Sequence, residues 1–476
     1  MFRTLVYMLI DSCWILLIGI VLVFVIPTGS VGADAPSTIS YIATGETCCG
    51  EDPHPVHGVA TSDGGFVLVG KSIDLEGEWQ GFVVKFPPNL PTGTLWLEPG
   101  EEFSYQWSYS FGSDGNKDGA NSVAATEDAV FVAGFITNSL GLIDRYLAKL
   151  DLISGNLIWN VTFPSKHSSG ESAFESIQLT KDGGLIATGF VAGNKGELEG
   201  FKSYGNPQSG NAFLMYLDAE QISASTYNAK PTWEQFYNQA LSGKAVREIT
   251  GNERGYVLAS SNREEKPVAM VLRLDGNGEL IWSKKYPKHG ELTDITLLRT
   301  KGLLKGFALA GHRHLLDGGV DGIITKISTD GSVVWNNSYG NPVGGNGIFN
   351  GLDAGNKKLI YDECWSIQST EDGGAIMACG TGIEGCDPYP EDTELFAECI
   401  EDPRNTWRSM LLRVNQKGDL IWQRVDSYQF VEDNEGGENE EVPSSASEYV
   451  IITNEGHIAS ITDLAFGIGL QLLEKE

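Results

Sequence analysis

The densest set of hard-cation ligands in this 476-residue chain is Asp114-Gly-Asn116-Lys-Asp118-Gly119, with Ser122 three residues further on. Alternate oxygen donors followed by a glycine form the first half of a loop that wraps calcium, an ion taking about six to eight oxygens. Ser122 stands at the ninth position of that loop, but the twelfth is Ala125, where a bidentate glutamate would be needed. The same residue types also suit a plain turn between strands, because Asp, Asn and Gly tolerate positive φ and bond their own backbone. Calcium is thus the cofactor expectation, carried by Asp114, Asn116, Asp118 and Ser122. A second set is His312-x-His314 with Asp317 close behind. Residues two apart on a strand share a face, so the two imidazoles could start a zinc site, which needs further ligands from elsewhere. For catalysis there is neither a Gly-x-Ser-x-Gly elbow nor a His-Glu-x-x-His pair. The 63 Asp and Glu residues are too numerous for any two to be singled out as acid and base.

The elements that must position these residues are written in a repeat. Leu272-Arg-Leu-Asp-Gly-Asn-Gly-Glu-Leu-Ile-Trp282 reads as strand, tight turn, strand: apolar β-formers flank residues that accept positive φ. Similar sentences end at Trp159, Trp335 and Trp422. An earlier hairpin turns on Asp-Gly-Gly at Asp63, Asp182 and Asp372, with degenerate copies at residues 123–134, 249–260, 295–311 and 449–462. Two hairpins make a four-stranded unit, and the unit recurs seven times. The sequence therefore predicts an all-β fold, a seven-bladed β-propeller of four-stranded blades. The last unit lacks an outer strand, and the solitary strand of residues 38–44 is what it lacks, so the ring is expected to be closed by an N-terminal strand. The closing tryptophans at 107, 159, 282, 335 and 422 occupy one repeat position and should pack between blades. Insertions are expected between the second and third strands at residues 87–100, 191–209 and 381–406, and between blades at 340–361 and at the acidic run 432–441. Loops on propeller faces build binding surfaces.

Composition narrows the partners. A formal net charge of −30 disfavours nucleic acid and anionic membrane surfaces. Residues 13–26 are an apolar run after Arg3, followed by Val31-Gly-Ala33, which reads as a signal peptide over residues 1–33 or an uncleaved signal anchor. Residues 34–476 are then one propeller domain, secreted or at the cell surface, with membrane contact only through that anchor. Six cysteines remain outside the signal, an even number that suits an oxidising compartment. Cys386 with Cys399, and Cys364 with Cys379 across the turn at Asp372-Gly373, are the expected disulfides, while Cys48 and Cys49 pair with each other or elsewhere. Asn160 and Asn336 begin Asn-x-Ser/Thr glycosylation sequons.

The double signature, Ser-Ile-Gln-x-Thr-x-Asp-Gly-Gly followed by Lys/Arg-Leu-Asp-x-x-Gly-x-Leu-Ile-Trp, resembles the secreted β-propeller repeats of bacterial and archaeal surface proteins. More distantly, the closing tryptophan and the adjacent Cys48-Cys49 resemble features of quinoprotein dehydrogenases, from which this chain departs in blade count and in lacking their quinone- and calcium-binding set. The resemblance implies an exported module that recognises or scaffolds an extracellular protein or glycan. The alternative is an enzyme, hydrolytic or quinoprotein-like, with its site at the central channel, where carboxylates or histidines would have to converge.

Overall fold

A computed structural model describes residues 35–44, 51–73, 77–97, 103–112, 115–164, 170–193, 210–227, 230–251, 253–262, 268–314, 319–340, 360–383, 407–426, 445–464 and 467–476. The signal region, Cys48, Cys49, Asp114, Asp317, Cys386, Cys399 and the acidic run lie outside the described residues. Among the described residues no helix is long and apolar enough to cross a membrane.

The chain is all-β, built from successive antiparallel sheets in which each strand pairs with the next. Glu51–Ala60, Phe66–Ile73, Trp79–Phe86 and Trp107–Phe111 form the first; Gly119–Ala125, Ala129–Thr137, Ile143–Asp151 and Leu157–Phe163 the second. Glu171–Leu179, Leu185–Gly193, Asn211–Leu217 and Trp233–Tyr237 follow, then Ala240–Ile249, Gly255–Asn262, Ala269–Leu274 and Leu280–Lys285. The next two sets, Glu291–Thr300 to Val333–Tyr339 and Ile360–Ser369 to Leu420–Asp426, touch through one parallel bridge, Val320 to Tyr361. In the last sheet, Ser445–Ile452, Ile458–Leu464 and Gly467–Leu473 continue into Thr38–Thr44, which pairs antiparallel with Gly467–Leu473.

Each sheet is buried on both faces, which is why its inner strands read as unbroken apolar runs such as Phe66-Val-Leu-Val69. Val67 and Val69 turn one way, into a core with Val130, Val132 and Leu150 of the second sheet. Leu68 turns the other way, toward Ile461 and Leu470 of the last sheet. Equivalent clusters fill the space between every other consecutive pair of sheets. The tryptophans join them at the outside. Trp107 Nε1 donates to Leu152 O (2.9 Å) and Trp159 Nε1 to Ala224 O (3.1 Å), each on the following sheet. Trp335 Nε1 reaches Gln416 O (3.2 Å) and Trp422 Nε1 reaches Glu476 Oε1 (2.7 Å). The glycines facing these rings are obligatory: a Cβ at Gly155 or Gly278, both at positive φ, would strike Trp107 or Trp233. Trp233 plays the same part in the third sheet without carrying the Leu-Ile-Trp signature, because a short capped helix, Ala219–Ser223, precedes its strand.

Three expectations change. The 87–100 insertion falls between the third and fourth strands of its sheet, and part of it, Gly93–Trp96, adds in parallel to Thr38–Thr44 as a fifth strand of the last sheet. The Leu and Ile of Leu-Ile-Trp differ between copies: Leu280 and Ile281 are 45% and 56% exposed on their outermost strand, whereas Ile158, Leu420 and Ile421 are partly buried against the inter-sheet cores. The Asp-Gly-Gly carboxylates do more than turn the chain. Asp63 Oδ1 accepts from Thr61 Oγ1 (2.5 Å) and Gly65 N (3.2 Å), and its other oxygen meets buried Lys85 on the third strand. Asp372 accepts from Thr370 (2.6 Å) and Arg413 (2.8 Å) in the same way. The two halves of the repeated signature are thereby one electrostatic unit.

Candidate functional site

The first strand of every sheet carries a β-bulge. The register slips between Pro55 and His57, Ala120 and Ser122, Phe174 and Ser176, Gly243 and Ala245, Leu292 and Asp294, Cys364 and Ser366, and Ser447 and Tyr449. A bulge re-aims side chains locally, and residues at or beside these slips, among them His57, Asn121, Glu175, Lys244, Asp294, Trp365 and Tyr449, line a single cavity. First strands that share one cavity, in sheets that share cores with both neighbours, are arranged radially. The chain folds as a β-propeller.

The residue after the bulge stitches one sheet to the next. Ile177 N–H donates to Ser122 Oγ (3.1 Å), Val246 N–H to Ser176 Oγ (3.4 Å), and Val450 N–H to Ser366 Oγ (3.5 Å). Serine holds this position in Ser122, Ser176 and Ser366, and the residues that stand there in the other sheets, His57, Ala245, Asp294 and Tyr449, converge on the cavity. His57 Nδ1 takes the bond from Val123 N–H (3.4 Å), and Asp294 Oδ2 takes that from Ile367 N–H (3.0 Å). Ala245 has no acceptor to offer, so Ile295 N–H turns to Asp294 Oδ1 (2.7 Å). Arg247, two residues on, fills the gap: it donates to Asp294 Oδ1 (2.7 Å) and Val246 O (2.9 Å) and lies close enough to Tyr449 of the last sheet to interact with it electrostatically. The Tyr449 ring lies 4.0 Å from that of His57. Asp294, Arg247, Tyr449 and His57 form a brace across the channel. Burial opposes the Arg247 charge, but Asp294 and Tyr449 more than offset it and hold its pKa above the usual range. Burial pushes the Tyr449 phenol up to about 12, so it stays neutral. What remains of the channel is a cavity of about 50 Å³, room for a few waters.

Beside the brace, buried His312 sits 3.5 Å from Glu291. Burial lowers its pKa, yet Glu291 and Glu363 outweigh that and raise it, while His312 in turn brings Glu291 below the ordinary carboxylate value. His314 is exposed where His312 is buried, and its charge adds to the lowering of the Glu291 pKa. Burial holds neighbouring His289 near a pKa of about 3, its Nδ1 2.8 Å from Thr325 Oγ1. Among the described residues no group of three or more His, Cys, Asp or Glu is placed to hold a metal. Of the calcium candidates, Asp118 is buried with Oδ1 accepting from Thr137 N–H (2.6 Å), Ser122 is committed to the inter-sheet stitch, and Asn116 is half-buried.

Cys364 and Cys379 are directly opposite across their hairpin and form a disulfide. Of the sequon residues, Asn160 is exposed on a fourth strand, whereas Asn336 is half-buried and donates to Thr325 Oγ1 (2.5 Å). Two further spacings match nucleotide-loop patterns. Gly65-Phe-Val-Leu-Val-Gly-Lys-Ser72 has P-loop spacing but is a central strand with Lys71 buried, its Nζ 5.1 Å from the centre of the Phe135 ring. Gly380-Thr-Gly-Ile-Glu-Gly385 has dinucleotide-loop spacing, but its first residues end a strand paired antiparallel on both sides, not a strand feeding a helix. The repeat-breaking residues of the channel were not singled out by sequence, although their signal is legible once the strands are aligned on the bulge: serine replaced by His57, Ala245, Asp294 and Tyr449.

No protein-family model matches the sequence, and no curated protein does. Among solved structures the chain is similar to a quinohemoprotein alcohol dehydrogenase from Pseudomonas putida HK5, with a TM-score of 0.43 and 10% identity over 91% of this chain and 66% of that one. It is also similar to a hypothetical selenium-binding protein from Sulfolobus tokodaii (TM-score 0.44, 12% identity, 78% of this chain and 79% of that one). The β-propeller domain of the Trilobed protease from Pyrococcus furiosus compares at a TM-score of 0.41 and 9% identity, over 91% and 95%. None of these likenesses carries a residue or a reaction over to this chain.

Proposed function

We propose that the chain is a seven-bladed propeller closed by Thr38–Thr44, and that it acts outside the cytosol as a recognition or scaffold module for protein or glycan. The observation that carries this reading is the braced, narrow channel. The carboxylates and imidazoles that converge there, as an enzyme would require, are committed to one another and to backbone N–H groups, around a cavity of about 50 Å³. The free space among these side chains holds only a few waters, which favours the outer surfaces as the place of recognition. Those surfaces are unequal. The turns between first and second strands, such as Thr61–Gly65 and Thr180–Gly184, are tight and hydrogen-bonded, whereas the strand ends that lead into residues 194–209, 384–406 and 427–444 all leave from the opposite face. A binding face with varied loops on a rigid scaffold is the expected division of labour.

The test is capture from extracellular material of the producing cells by immobilised protein lacking residues 1–33. Its comparison is a protein in which residues 384–406 are replaced by a short Gly-Ser link. Retention of a defined protein or glycan that the shortened variant loses supports the reading. Capture of nothing, together with turnover that depends on Arg247 or Asp294, would move the assignment to the enzyme alternative.

A further inference from the structure

On the face opposite those long connections lies a second concavity of about 530 Å³, within the range of small-molecule sites. It sits at the seam where the first and last sheets meet. Its walls are the Thr61–Gly65 turn, the segment at Pro88 to Leu90, the start of the strand Thr38–Thr44, and the turn from Thr453 to His457. Nothing in the repeat requires a hollow here. It exists because the chain leaves Phe86 by way of residues 87–97, which reach across to pair with Thr38–Thr44, instead of turning directly into a fourth strand.

We propose that this seam groove binds a neutral, hydroxyl-rich ligand, a saccharide unit. Its polarity is mixed in the way a sugar's is. Ile39, Leu90 and Leu472 offer partly buried apolar surface to a ring's C–H face, while Ser62, Asn89 and Asn454 offer exposed hydroxyl and amide groups at the edge. Two polar atoms at the groove lack any partner. Ser40 is 1% exposed and its Oγ makes no hydrogen bond; His457 is partly exposed, but its Nδ1 atom is buried and unbonded. Buried polar atoms are nearly always satisfied, so a pair left open on one concavity marks where a ligand's or a water's hydrogen bonds belong. Charge excludes the other ligand classes. Among the described residues no Lys or Arg lines the groove, so its walls offer an anionic sugar or phosphate no direct counter-charge. Asp63 is already engaged by Lys85, Thr61 and Gly65, and Glu455 is a single exposed carboxylate, too little to hold a cation. The inference rests on the recognition reading for its purpose, but it concerns a different face and is separable from it.

The test is calorimetric titration of the full chain lacking residues 1–33 with cellobiose and maltose, and with digalacturonic acid as the anionic control. Saturable binding of a neutral disaccharide and none of the acid is expected. Loss of one hydrogen bond in Ser40→Ala, or in the exposed Asn454→Ala, should weaken it about three- to tenfold. Ser40→Ala should leave the melting temperature unchanged or raised, because it removes an unsatisfied buried hydroxyl, and Asn454→Ala, at an exposed turn, guards against a folding effect. Heats that do not saturate with any neutral disaccharide at millimolar concentration, equal affinity in both variants, or preference for the acid would overturn the proposal. If the groove is silent while the long-loop face still captures its partner, this inference alone fails; if both are silent, the recognition reading fails with it.

Discussion

Arg247 is the residue on which the channel depends. It supplies the link that Ala245 cannot, and it neutralises Asp294, whose side chain is 5% exposed. Arg247→Ala leaves that carboxylate buried without its counter-charge, an arrangement that costs about 3 kcal/mol or more. A fall of that order in chemical denaturation is expected, with much of it recovered when Asp294→Asn is added. A loss under about 0.5 kcal/mol, the range of an ordinary surface change, would mean the brace is not structural. The Asp-Gly-Gly carboxylates set an acid limit. Burial raises the pKa of Asp63 and Asp372, but hydrogen bonds from Lys85 and Thr61, and from Thr370, Gly374 and Arg413, outweigh it and bring both below the ordinary 3.8. A depressed carboxylate stabilises the fold above its unfolded pKa, and the contribution is lost as pH falls through the folded one. Thermal melts between pH 6 and 2 should therefore decline below about pH 4, and less steeply in Asp63→Asn with Asp372→Asn; parallel profiles would place the acid sensitivity elsewhere.

At the scale of the strand, the bulge is what turns a repeated scaffold into a shaped channel, and the hairpin with Cys364 and Cys379 is the one such element with a covalent tie among the described residues. A disulfide closing a loop of this separation, 15 residues, restrains the unfolded chain by about 3 kcal/mol. Cys364→Ala with Cys379→Ala is expected to lower stability by about that amount, and reductant should then have no further effect on this hairpin. An unchanged melting temperature would show that packing alone holds it. The exposed ends of the fourth strands behave oppositely. Ile281→Lys or Val334→Lys should change stability by less than about 0.5 kcal/mol, because those side chains are 56% exposed in each case. Sequence alone does not separate these residues from the core, since apolar type is visible in the chain while the outer edge of a sheet is not.

For the whole molecule, the strand Thr38–Thr44 and the residues before it tie the last sheet to its neighbours, the sixth sheet among them. Arg424 donates to Pro36 O (2.8 Å) and Thr38 Oγ1 (2.6 Å), and Glu474 N–H donates to Ser37 O (2.9 Å). Residues 35 and 476 therefore lie on one sheet. A circular permutant that joins them through a short linker and opens the chain within residues 384–406 should fold with a melting temperature within a few degrees of the parent. Deletion of residues 35–44 should abolish cooperative unfolding, because it removes Ile42 and uncovers Ile468 and Leu470. A stable, cooperative deletion variant would mean that closure by this strand is dispensable. The seam is also sensitive to base. His54 on the first sheet lies 2.8 Å from Asp463 on the last and 3.1 Å from Asp52. Burial lowers its pKa, but the two carboxylates more than compensate and raise it above 6.5. A raised histidine contributes its full stability below the unfolded pKa and loses it as pH rises through the folded one. Burial of Asp463 raises its pKa as well, which penalises its charged form in the same direction. Stability should thus decline as pH climbs above about 6.5, and His54→Gln should flatten that decline; an unchanged slope would remove the seam from the pH response.

Read in order, the residues determine a great deal by themselves. Apolar runs punctuated by Asp-Gly-Gly and Asp-x-x-Gly dictate hairpins, their repetition dictates four-stranded units, and the spacing of Cys364 and Cys379 around a turn places them opposite each other, because all of these are local relations along the chain. Only the tertiary structure decided the rest. The bulges, the brace from Arg247 to Tyr449 and the groove at the seam join residues as far apart as Ser40 and His457, through register slips and sheet-to-sheet packing that no local pattern encodes. Even the meaning of a motif was settled that way: Gly70-Lys71-Ser72 is a strand rather than a phosphate loop because both its neighbours pair with it along its length.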